Sequence, residues 1–153
     1  MLEIVIVLLI VIADQLTKYL ASIHLKQITT KELVKGVFNL TYVENSGAAF
    51  GILQNQRWIF IVLTVLICGG IIYFLATQSS TDLMLRLSLA MILGGAIGNL
   101  IDRIRLGYVI DMLHFTLIDF PVFNIADSFV VVGTILLACY TLFPVTKSEG
   151  ETT

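Results

Sequence analysis

A chain of 153 residues that is 58% apolar and only 13% charged, with a mean hydropathy of +0.96, carries far less charge than an ordinary soluble domain. So short and so apolar a sequence implies a single integral membrane domain spanning residues 1–153. The formal net charge of −2 is uninformative, and no basic patch points to a nucleic-acid partner.

A hydrocarbon core of ~30 Å needs about 20 helical residues. Four segments meet that length, approximately 2–20, 58–76, 83–101 and 125–143. The first has Glu3 as its only early charge and lacks both a basic n-region and a small-residue cleavage site, so it reads as a retained helix. It tolerates Asp14 and Lys18 because residues four apart share a helical face and can pair. The connection 21–57 starts with Lys26, Lys31, Glu32 and Lys35, then turns strand-like. In Val37-Phe38-Asn39-Leu40-Thr41-Tyr42 the residues Phe38, Leu40 and Tyr42 share one pleat face, and Gly47 and Gly51 mark turns. A small sheet on the membrane surface is expected there.

The second helix bears no charge, and 77–82 is a short polar link. In the third, Gly94, Gly95, Ala96 and Gly98 permit close helix packing. The stretch 104–123 is apolar, but Gly107, Asp111, Asp119 and Pro121 make it a poor spanning helix, so it is expected to lie at the interface. A polar tail, 145–153, follows the fourth helix.

With four helices running up and down, one membrane face collects Asp14, Lys18, Asn45, Arg57, Asn99, Asp102, Arg103, Asp111, Asn124 and Asp127. The other receives little beyond Glu3, Asp82, Arg86 and the tail. Asn99, Asp102 and Arg103 project from one side of the third helix, as Asn124 and Asp127 do from the fourth. Asp14 with Lys18, and Asp102 with its neighbour Arg103, read as two neutralising pairs. Such pairs suit a buried polar network that fixes helix register. Asp111 and Asp127 lie outside both pairs, and an ionisable group at membrane depth costs roughly 2.5–3.5 kcal/mol.

Two adjacent carboxylates share a proton and titrate together. The ionised member can take a proton from water while the protonated one polarises a carbonyl. Asparagine and arginine donors nearby could orient substrate or stabilise an oxyanion. No serine has the flanking sequence of a nucleophile. The isolated His24 and His114, and the cysteines Cys68 and Cys139 inside apolar runs, have neither metal-ligand nor disulfide spacing, so no metal or cofactor is expected.

Five blocks in order carry a resemblance: Asp14-Gln15-Leu16-Thr17-Lys18, Asn45-Ser46-Gly47-Ala48-Ala49-Phe50-Gly51, Gly94 through Arg103, Val109-Ile110-Asp111, and Phe123-Asn124-Ile125-Ala126-Asp127-Ser128. The chain resembles the bacterial lipoprotein signal peptidases (signal peptidase II) from residue 14 to 128. The resemblance implies an all-α membrane protein of four transmembrane helices with a small extracytoplasmic β-sheet cradle and an interfacial segment over the site. It implies an intramembrane aspartyl endopeptidase that cuts prolipoproteins before a diacylglyceryl-modified cysteine, with Asp111 and Asp127 as the catalytic dyad. Asn45, Asn99, Arg103 and Asn124 then line or support the substrate cleft, and Asp14, Lys18 and Asp102 form its scaffold. The implied partners are the lipid-modified precursor and membrane lipid. The implied setting is a multi-pass monomer of the bacterial cytoplasmic membrane, active near its extracytoplasmic face.

Two features depart from the pattern. Met112 follows the first catalytic aspartate where the family usually has Phe. Lys26, Lys31, Lys35, Arg57, Arg103 and Arg105 fall on the site face, opposite to the positive-inside tendency. Leu136-Leu137-Ala138-Cys139 is like the sequence such enzymes cut, but it lies deep in the fourth helix and reads as chance. From the residues alone, a proton- or ion-coupled transporter and a non-catalytic assembly factor stay open. A transporter would need polar groups in the far half of the helices as well.

Overall fold

The computed structural model describes residues 1–47, 52–78, 82–118 and 120–143. Part of the second motif (48–51), half of the link (79–81), Asp119 and the polar tail lie outside them. The elements in chain order are α1 (Leu2–His24), β1 (Thr30–Val34), β2 (Phe38–Asn45), α2 (Arg57–Thr77), α3 (Leu83–Arg105), β3 (Val109–Phe115) and α4 (Ile125–Leu142). Among the described residues, α1 to α4 are each long and apolar enough to cross a membrane. Four spanning helices with one small sheet is the architecture expected. α1 and α3 each continue four residues beyond the expected ends, to His24 and Arg105. Hydropathy marks where a helix leaves the hydrocarbon, and these two carry on into the polar layer.

α3 is the central helix, packed against α1, α2 and α4. Its glycines make that possible. A Cβ on Gly94 would stand 3.0 Å from Ile10 Cβ, one on Gly98 2.6 Å from Asp14 Oδ2, and one on Gly95 would strike the Ala126 carbonyl. Gly133 of α4 returns the favour, meeting the Ser88 carbonyl and Ile92 of α3. Gly98→Ala is therefore expected to destabilise by about 1–3 kcal/mol through overpacking. Thermal unfolding in detergent should show the drop. Gly69→Ala is the control, because its Cβ would meet open space.

β1, β2 and β3 form an antiparallel sheet in that order, at the end of the bundle where α1 and α3 finish. Leu40 and Tyr42, on the expected pleat face, pack on a core of Ala21, Leu25, Ile110 and Met112. Phe38 places its ring 5.0 Å from that of Phe115. β3 corrects the sequence reading, which left 104–123 as one interfacial segment. Its first four residues are buried regardless of pleat face, so no period of two marks it as a strand. The rest of that segment doubles back, with Phe123 bonded to Met112 and Leu113 of β3. β1 was also unmarked, since all its residues are exposed.

Candidate active site

α4 begins where Asn124 caps it. The Asn124 Oδ1 accepts the Asp127 backbone N–H at 2.9 Å, and the Asp127 Oδ2 accepts the Asn124 N–H at 3.2 Å. This reciprocal cap fixes the Asp127 carboxylate in the first turn, at the positive end of the helix dipole. The Asn124 side chain also donates to Asp111 Oδ1 at 2.6 Å, so one residue holds both aspartates. Asp111 enters from β3, where its other oxygen accepts from Asn45 Nδ2 on the neighbouring strand at 2.9 Å. The Asn45 oxygen is taken by the Gly47 N–H, which turns its NH2 toward the carboxylate.

Asn99 completes the set. Its Nδ2 donates to Asp127 Oδ1 at 2.7 Å, while its oxygen accepts from Lys18 Nζ at 2.8 Å. An ammonium can only donate, so Lys18, together with the Asn124 Nδ2 that donates to the same oxygen at 3.2 Å, fixes which end of the amide faces Asp127. All four oxygens of the two aspartates thus accept an N–H from an oriented partner.

Beneath this layer lies the predicted network, with one difference. Lys18 is 2% exposed and pairs with Asp14 at 2.9 Å and with Asp102 at 3.0 Å. Asp102 therefore pairs with Lys18, and the expected Asp102–Arg103 pair does not form. Consecutive residues on a helix point in different directions. Arg103 instead donates to the Gly47 carbonyl at 3.2 Å and lies over the Phe60 ring. Each of the two scaffold carboxylates also accepts a backbone N–H. Asp14 accepts the N–H of Ala126, and Asp102 that of Ile110. Each gripped residue immediately precedes one of the paired aspartates.

Two contributors went unrecognised in the sequence. Gln15 donates to Asp102, to Asp14 and to the Gly98 carbonyl, tying α1 to α3. Glu44 accepts from Lys26, Tyr42 and Tyr108, joining the exit of α1 to β2 and to the turn before β3. The Lys26 bond, chiefly, holds the Glu44 carboxyl below its usual range. An uncharged Gln beside a charged motif and a lone surface Glu give no sequence signal.

Asn45, Asn99, Arg103, Asp111 and Asp127 all line one cleft of about 530 Å³. Its other walls are apolar, from the loop after β3 (Ile118, Phe120) and from the valines 130–132 of α4. A polar floor under apolar walls suits a substrate with a peptide portion and a hydrocarbon portion.

Burial, and secondarily the charge of Asp127, raises the Asp111 carboxyl from 3.8 to about 6, against the opposing bonds from Asn45 and Asn124. A carboxyl raised on folding binds more protons in the folded state, so its cost appears as pH rises from 3.8 to about 6 and is full above that. At 1.36 kcal/mol per pKa unit the cost approaches about 3 kcal/mol. The unfolding temperature should fall across that window, and Asp111→Asn should flatten the fall.

Residues 6–143 match the family profile described as "Signal peptidase (SPase) II". Lipoprotein signal peptidases of Streptococcus pyogenes, serotypes M5 (strain Manfredo) and M18 (strain MGAS8232), are each 48% identical over 130 residues, which cover 85% of this chain and 86% of theirs. Among solved structures, a bacterial membrane enzyme determined by the in meso method at 2.3 Å aligns with a TM-score of 0.90 and 34% identity, covering 99% of this chain and 94% of that one. A second such structure, at 1.9 Å, aligns at 0.84 with the same identity over 93% of each chain. With the family profile spanning nearly its whole length, and with a fold shared with known membrane enzymes, the chain belongs to the signal peptidase II family.

Proposed function

We propose that this protease removes the signal peptides of prolipoproteins as an aspartyl endopeptidase, cutting before the cysteine that bears diacylglycerol. The observation that carries the reading is Asn124, which bonds both Asp111 and Asp127 at one cleft. Burial favours keeping one proton on the pair, and the helix N-terminus favours leaving the charge on Asp127. Water held between them loses a proton to Asp127 and attacks the scissile carbonyl, which Asp111 polarises by donating its own. The tetrahedral intermediate then collapses as a carboxyl proton passes to the leaving amine. Arg103 and the amides of Asn45 and Asn99 hold the peptide, and the acyl chains lie along the apolar walls. Asp14, Lys18 and Asp102 keep the geometry.

The protein acts as a monomer in the bacterial cytoplasmic membrane, with the cleft toward the extracytoplasmic face. Arg103 lies in the cleft rather than in a loop, so it does not count among the charges that bear on orientation.

The test is purified protein with a synthetic precursor, either diacylglyceryl-modified or bearing a free thiol, with and without a chelator. Cleavage confined to the modified peptide and indifferent to chelator is the expected outcome. Cleavage of neither precursor, or cleavage lost to the chelator, would overturn the reading.

A further inference from the structure

A second groove, of about 370 Å³, lies between α1 and the sheet and has no part in the chemistry above. β3 divides the two cavities. Asp111 lines the cleft, and the two residues that follow it, Met112 and Leu113, line the groove. Leu20 and Leu25 at the end of α1 and Ile125 at the start of α4 supply the rest of its apolar wall. At its rim stand the exposed side chains of His24 and Lys31, and no carboxylate lines it. Among the described residues neither His24 nor Lys31 belongs to an ion pair.

Leu20 and Ile125 lie at the sheet ends of two spanning helices, so the groove sits where acyl chains meet headgroups. We propose that it holds an acyl chain of an anionic glycerophospholipid, whose phosphate is bound by Lys31 and His24. The charge complementarity selects the anionic headgroup, because a basic side chain at a membrane surface is worth about five-fold in binding. The occupant is a resident lipid, distinct from the substrate, which lies on the other side of β3.

The test uses full-length protein in phosphatidylcholine vesicles containing phosphatidylglycerol, extracted gently, with retained lipid counted by native mass spectrometry. Wild type should retain phosphatidylglycerol about five-fold or more over its share of the bilayer. Lys31→Glu should abolish that preference, and Leu20→Trp, which fills the groove, should reduce retention of both lipids. Lys35→Glu, on the same hairpin but outside the groove, should change neither. Equal retention of the two lipids, or equal losses in Lys31→Glu and Lys35→Glu, would overturn the proposal by showing only diffuse surface charge. Displacement of the retained lipid by a diacylglyceryl peptide would give the groove to substrate. Disulfide crosslinking of Leu20→Cys between copies would give it to self-association. Either result also overturns the proposal.

Discussion

Asp127→Asn is expected to lower cleavage of the diacylglyceryl precursor by about 10²–10⁴-fold, the range a positioned acid or base contributes. Asp111→Asn should fall as far, since in the proposed mechanism the two aspartates act as a unit, and the double variant should be no worse than the poorer single one. Both asparagines keep the side-chain size and can still accept hydrogen bonds through one oxygen, so the loss should appear in kcat with little change in precursor binding. Single-turnover cleavage and a separate binding measurement check the split. Asp82→Asn, at the far end of α3, is the control and should cleave normally. Wild-type rates from either dyad variant would remove that aspartate from the mechanism.

Lys18→Met is expected to have the largest effect on stability. It leaves the buried Asp14 and Asp102 carboxylates without the cation they share. Breaking a buried pair from one side costs about 3–5 kcal/mol. The cleavage rate should fall too, because Asn99 loses the nearer of the two donors, Lys18 and Asn124 Nδ2, that fix which end of its amide faces Asp127. The combination of Lys18→Met with Asp102→Asn separates the two effects. Removing the second charge should restore part of the unfolding temperature, while cleavage stays low. Full recovery of cleavage along with stability would show that Lys18 is only a counter-ion.

The helices and the polar face were legible because hydrocarbon imposes a length and a hydropathy that few other environments do. Asp111 and Asp127 stood out for the same reason, being charges with no neutralising neighbour in sequence. What could not be read was pairing between elements. Lys18 reaches Asp102 from 84 positions away, a link that helical spacing within one segment cannot express. β3 escaped because Val109 to Met112 are all buried, on whichever side they point, and so show no alternation. Gln15 and Glu44 escaped because each works through partners brought in by the fold.

The backbone grips of Asp14 on Ala126 and of Asp102 on Ile110 have a mechanical consequence. The gap between the Asp111 and Asp127 carboxyls is gauged by α1 and α3, although neither carries one of them. Lateral pressure and bilayer thickness act directly on how those two helices lean together. Turnover should thus respond to the acyl length of the host lipids even when the substrate is unchanged, making the membrane a component of the enzyme's caliper.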